Sequence, residues 1–233
     1  MEIYTDFAAG SRLLRSPVSG RPLEWRPLAA GGVLVEPGHR WPVVAGIACL
    51  REAPGCERAL AALEAGDEVL AAAVLAAGTL GSRVDRVRER LGRWLLRRPA
   101  GHSPAVGRCR RRLAAGRARG FRGVVEELFG RPPWPVPATA TYFLRRRADP
   151  SFVPAEALAG ALLAGRTPVV DVGCGAGHLL CSLAGWDLQG ICLLVGVDEL
   201  FPALLAAREL LGVRGLLVWG EAGSLPLASG AFE

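Results

Sequence analysis

Residues 171–177 read Asp-Val-Gly-Cys-Gly-Ala-Gly, and three glycines at alternate positions (Gly173, Gly175, Gly177) directly follow a β-branched run. Glycine tolerates backbone angles that a Cβ forbids and lets a ligand lie against bare main chain, so this stretch can cradle a bound group. Asp171 stands two residues before the first glycine, and Cys174, inside the turn, suits close packing rather than nucleophilic attack. A second acid, Asp198, ends another apolar run about 20 residues further on, with Glu199 beside it. A carboxylate at a strand end can accept from two neighbouring hydroxyls at once. Glu221 and Ala222 follow a third apolar run, Leu216 to Trp219.

These groups need strands and helices to hold them. The periodicity predicts a strand entering the glycine turn, a helix over about 177–183, a strand over 191–197, a helix over 201–211 and a strand from 216. That is an α/β pattern of about three parallel strands. A helix over about 154–164, with proline early and Gly165 after it, leads into the turn. Tyr142 and Phe143 could roof the pocket, although ordinary packing suits each of them taken singly. His178, at the helix start after the glycines, is expected to face solvent.

Further upstream, residues 12–50 hold short β-prone runs broken by Gly and Pro, which predicts a small β-rich module. From Cys56 the composition turns to Ala, Leu, Glu and Arg, with helical apolar spacing through about residue 80 and amphipathic helices over 83–98 and 108–128. Gly130 to Pro137, rich in proline, reads as a rigid connector. The division expected is therefore 1–52 (β-rich module), 53–130 (helical region) and 131–233 (ligand-binding α/β domain).

Composition narrows the partners. At 233 residues and 51% hydrophobic content the chain can bury a core, and its formal charge is +6. All 28 basic residues are arginine, a bias that together with abundant Ala, Gly, Leu and Pro fits a GC-rich coding sequence better than selection for nucleic acid. Six cysteines form no C-x-x-C pair, no signal peptide is visible, and no apolar run reaches the roughly 20 residues that span a bilayer. A cytoplasmic protein with reduced thiols is expected. No zinc ligand set is evident, and His39 and His102 stand alone.

Two resemblances sharpen these expectations. The Asp171–Gly177 motif, Asp198 and the Gly220–Pro226 segment, in that order, resemble class I S-adenosylmethionine-dependent methyltransferases of the ubiquinone- and menaquinone-biosynthesis type. The resemblance covers about residues 165–233 and implies a Rossmann-like sheet. It places the methionine end of S-adenosylmethionine near Asp171, Gly173, Cys174, Gly175 and Gly177. The ribose falls to Asp198, Glu199 beside it counts among the cofactor-binding residues, and the adenine falls to Glu221 and the Ala222 backbone; the family carries Asp where this chain has Glu221. The implied function is methyl transfer to a small-molecule acceptor, with no general base assigned. The alternative is a non-catalytic cofactor-binding or regulatory partner. Because the pattern ends where a fourth strand would begin, a fragment of a longer enzyme is expected. The N-terminal module is similar to zinc-ribbon-like domains that accompany methyltransferases. Trp41, Pro42, Gly46 and Ile47 match that pattern, while Ser16 and Ser19 stand where it has cysteines.

Overall fold

The computed structural model describes residues 7–8, 10–53, 55–80, 104–130, 137–163, 168–185, 193–212 and 215–232. The expected helix over 83–98 lies outside these residues, as does most of the connector at 131–136.

Four short strands open the chain: β1 (Glu24–Pro27), β2 (Gly32–Glu36), β3 (His39–Val44) and β4 (Ile47–Cys49). They form an antiparallel meander. The β3–β4 connection is a two-residue turn in which Ala45 and Gly46 both have positive φ, at 53° and 69°. That backbone matches the twist of the flanking strands. Ala45 adopts it without glycine's freedom, and its N–H donates to the Glu68 carboxylate at 3.0 Å.

Helices α1 (Cys56–Glu64), α2 (Glu68–Leu80), α3 (Pro104–Arg117), α4 (Gly120–Phe129), α5 (Pro137–Arg145) and α6 (Phe152–Leu163) come next. An alternating β/α run closes the chain: β5 (Val169–Val172), α7 (His178–Gly185), β6 (Leu194–Asp198), α8 (Phe201–Leu211) and β7 (Leu216–Trp219).

The helical pattern over 108–128 is not one helix. It breaks at Gly120, whose φ is 65°, and the chain doubles back so that α3 packs on α4. Gly116 and Gly123 permit the approach, because a Cβ on Gly123 would lie 2.4 Å from the Gly116 carbonyl oxygen.

All seven strands belong to one mixed sheet, in the order β1-β2-β3-β4-β7-β6-β5. β4 runs parallel to β7, with Ile47 opposite Leu217 and Cys49 opposite Trp219, so the N-terminal meander continues the sheet of the C-terminal strands. Strand alternation divides the core. Ile47, Cys49, Leu217 and Trp219 face the helices, whereas Ala48, Val195, Val197, Leu216 and Val218 face a second cluster with Phe7, Leu14, Leu34 and Trp41. Burying these two faces is the main force holding the module to the rest of the chain.

Arg208, on α8, fastens the same seam. Its guanidinium donates to the carbonyls of Gly46 (2.7 Å), Gly212 (2.8 Å) and Gly215 (3.3 Å). Burial lowers its pKa to about 10, still well above neutral pH.

Ser16 and Ser19 meet at one corner of the module. Both hydroxyls donate to the Glu36 carboxylate, one to each oxygen. The Ser16 hydroxyl in turn accepts the N–H groups of Val18 and Ser19, and the Ser19 hydroxyl accepts that of Arg21. A carboxylate and two hydroxyls thus tie this loop to the end of β2.

Candidate functional site

Strands β5, β6 and β7 run parallel, and their carboxyl ends lie side by side. Each end leads into one of the segments singled out in the sequence. After β5 the chain enters the glycine turn, where Gly173, Gly175 and Gly177 have φ of 79°, 53° and 75°. Three different surroundings account for the three glycines. A Cβ on Gly173 would meet nothing within 4 Å, so this position faces open space. One on Gly175 would lie 3.4 Å from the Phe143 ring, and one on Gly177 would crowd Ala207 on α8 at 3.0 Å. The first glycine therefore bares backbone to the outside, and the third lets the turn sit on a helix.

The turn is pinned to the end of β6. Gly173 and Cys174 donate their N–H groups to the Val197 carbonyl at 2.8 and 3.1 Å. Gly175 donates to Asp198 Oδ2 at 2.8 Å, and Asp198 Oδ1 accepts the Leu200 N–H at 2.8 Å. Each carboxylate oxygen can accept more than one donor, so Asp198 keeps acceptor capacity. Asp171 is partly buried behind the turn. Burial raises its pKa, and the Asp198 charge raises it further.

Cys174 is buried, and a Cβ on Gly196 would touch its sulfur. Burial raises its thiol pKa, as do the charges of Asp171 and Asp198, so the sulfur stays protonated and acts as packing.

At the end of β7, Glu221 and Ala222 are exposed, in a turn closed by a bridge between Glu221 and Ser224. Glu199 also exposes its side chain, and its carbonyl accepts the Trp219 indole N–H at 2.8 Å. The nine residues proposed from sequence thus lie on three adjacent strand ends, and the Gly175 to Asp198 bond joins two of those ends directly.

His178 does not face solvent. It is only 6% exposed, with its ring edge-on to Phe121 at 5.5 Å and to Phe152 at 6.3 Å. Burial lowers its pKa, favouring the neutral imidazole. The expectation failed because Phe121 on α4 and Phe152 on α6 cover the ring at the start of α7, and the neighbouring α5 has a weak sequence signature. Pro137 is compatible with a helix start, but the Thr-Ala-Thr-Tyr-Phe that follows is not a strong helical run. Phe143, on α5, packs between Gly175 and Phe129, whereas Tyr142 is 50% exposed.

Sequence reasoning missed Arg51. It follows β4, yet it reaches the candidate site: its Nε lies 3.2 Å from Glu221 Oε1, and its Nη1 lies 3.4 Å from the Glu199 carbonyl oxygen. Nothing local connects residue 51 with residue 199, and only the β4–β7 pairing brings them together.

A separate cavity of about 550 Å3, lined by His39, Trp41, Cys56 and Leu60 among others, lies between β3 and α1 and includes none of the strand-end residues. Among the described residues no cluster of His, Cys, Asp and Glu could hold a metal, and no helix is long and apolar enough to cross a membrane. Comparison with protein-family models, curated proteins and solved structures finds no match to this chain.

Proposed function

We propose that the three strand ends bind S-adenosylmethionine and that the protein takes part in methyl transfer to a small-molecule acceptor. The observation that carries this reading is the meeting of the glycine turn and Asp198. A bare, outward-facing Gly173, a carboxylate with spare acceptor sites and an exposed acid on the next strand make a run of groups suited to a nucleoside carrying an amino-acid tail. In open α/β sheets ligands bind outside the carboxyl ends of parallel strands, and this site has that position. The sheet order β7-β6-β5 also supports a Rossmann-like reading of the C-terminal half.

The residues fit the cofactor's parts in sequence. Gly173 and Gly175 give the methionine portion access to backbone, and a side chain at Gly173 would project into that space. Asp198 accepts from the ribose hydroxyls while Gly175 and Leu200 hold its carboxylate in place. Glu221 accepts from the adenine amine, and the Ala222 backbone lies next to it. The bound cofactor supplies a methyl carbon on a sulfonium, open to displacement by a nucleophile. The protein's part is alignment and exclusion of water. Asp171, with its raised pKa, lies behind the turn as a packed, partly desolvated acid.

Isothermal titration with S-adenosylmethionine tests the reading. The parent protein binds with one-to-one stoichiometry, and Asp198→Ala loses about tenfold or more in affinity, as expected for removal of charge-assisted hydrogen bonds. A folded parent that takes up no cofactor rules the reading out.

A further inference from the structure

We infer that Arg51, contributed by the N-terminal meander, is a positioning residue of the adenine end of this site and sets its preference for a 6-amino purine. The inference rests on the cofactor reading above and adds a residue and a specificity to it.

The backbone at Arg51 is fixed on both sides. The Leu50 N–H donates to the Trp219 carbonyl at 3.0 Å, extending the β4–β7 ladder by one bond, and the Arg51 carbonyl accepts the Cys56 thiol at 3.7 Å. The side chain therefore starts from an anchored point at the carboxyl end of the sheet. From there the guanidinium spans two of the three strand ends, with Nε at Glu221 Oε1 and Nη1 at the Glu199 carbonyl. That carbonyl already holds the Trp219 indole, so the β6 loop is gripped from β7 and from the meander together.

The consequence concerns Glu221. An exposed glutamate on a turn samples many rotamers, and only some direct its carboxylate at a ligand. Arg51 engages Oε1 and leaves Oε2 free for a donor. A purine with an exocyclic amine offers that donor, whereas a 6-oxo purine presents a carbonyl oxygen to the carboxylate and is rejected. The pair is solvent-accessible, with side-chain exposures of 33% and 57%, so its effect on folding is small. Its effect on ligand choice need not be, because the ligand covers the carboxylate when it binds.

The test is titration calorimetry with S-adenosylhomocysteine and its 6-oxo counterpart, S-inosylhomocysteine, on the parent, Arg51→Gln, Arg51→Lys and Glu221→Gln. The parent prefers the adenosyl ligand by about tenfold or more, as for a hydrogen bond to a charged group. Arg51→Gln and Glu221→Gln each cut that ratio to about threefold or less, and the double variant adds nothing further, because both act on one contact. Arg51→Lys, a point charge without the guanidinium fork, recovers only part of the ratio. A parent that binds both ligands with an unchanged ratio in Arg51→Gln and Arg51→Lys overturns the role of Arg51 and leaves the cofactor site intact. A folded parent that binds neither ligand overturns the cofactor reading and this inference together.

Discussion

Glu36 and Asp198 each end a strand of the same sheet, and each carboxylate accepts one donor on each oxygen, yet they belong to opposite kinds of place. Glu36 is closed in, with a side chain only 3% exposed, and its donors are the Ser16 and Ser19 hydroxyls of a neighbouring loop. Asp198 is partly open, and its donors are backbone N–H groups of the turns around it. The first arrangement uses a carboxylate to hold two segments together. The second uses the backbone to hold a carboxylate still while leaving it accessible. The antiparallel half of the sheet thus serves as scaffold, and the parallel half presents groups at its carboxyl edge.

Substitutions at the scaffold end, and at the seam between the halves, should cost stability, whereas those at the open end should cost binding. The largest effect is expected at the seam. Arg208→Ala strips donors from the Gly46 and Gly215 carbonyls and should lower unfolding free energy by about 3 kcal/mol in urea titration. A loss below about 1 kcal/mol would mean that apolar burial alone holds the halves together.

Glu36→Ala should cost about 2 kcal/mol, because it leaves the buried Ser16 hydroxyl without its acceptor and releases the more exposed Ser19 hydroxyl. The hydroxyl donors lower the Glu36 pKa below its ordinary 4.5. Its contribution is therefore complete above that value and lost as pH falls through the lowered one. Acid titration of stability should show a steeper loss in the parent than in Glu36→Ala, and parallel acid limbs would contradict the pin.

Two glycines separate packing from exposure within one turn. Gly177→Ala combines a positive φ with a 3.0 Å contact to Ala207 and should destabilise by about 2–3 kcal/mol. Gly173→Ala carries the backbone strain alone, about 1–2 kcal/mol, but should lose cofactor binding out of proportion to that cost. Equal stability losses, or normal binding by Gly173→Ala, would erase the distinction.

The smallest effect is at His178. Burial lowers its pKa, so the stability it permits is present above its ordinary 6.5 and lost as pH falls through the lowered folded value. Thermal melts between pH 7 and 5 should decline less in His178→Leu than in the parent, since the variant has no imidazole to protonate.

The glycine turn, the acids after it and the β/α alternation could be read from sequence because each depends on neighbours within a few residues. Alternating glycines announce a positive-φ turn, and an acid closing an apolar run marks a strand end. What escaped was long-range. β4 is a three-residue strand with no local sign that its partner is β7, 170 positions away in the register of Ile47 and Leu217. Arg51 and Arg208 take their meaning from that one pairing. Gly120 stands inside an unbroken helical pattern, and its positive φ is set by the fit of Gly116 against Gly123, which periodicity cannot register. Ser16 and Ser19 could be seen to replace cysteines, but their common acceptor, Glu36, became apparent only once β2 was placed.

The most direct measurement of the open end is an amide NMR titration of the isotopically labelled protein with S-adenosylhomocysteine. The amides of Gly173, Gly175, Leu200 and Ala222, drawn from all three strand ends, should shift together along one saturable curve, while Val18, Ser19 and Arg21 at the Glu36 corner stay still. Saturable shifts confined to residues away from the three strand ends, or no shifts in a folded protein, would contradict a nucleoside site at the carboxyl edge of this sheet.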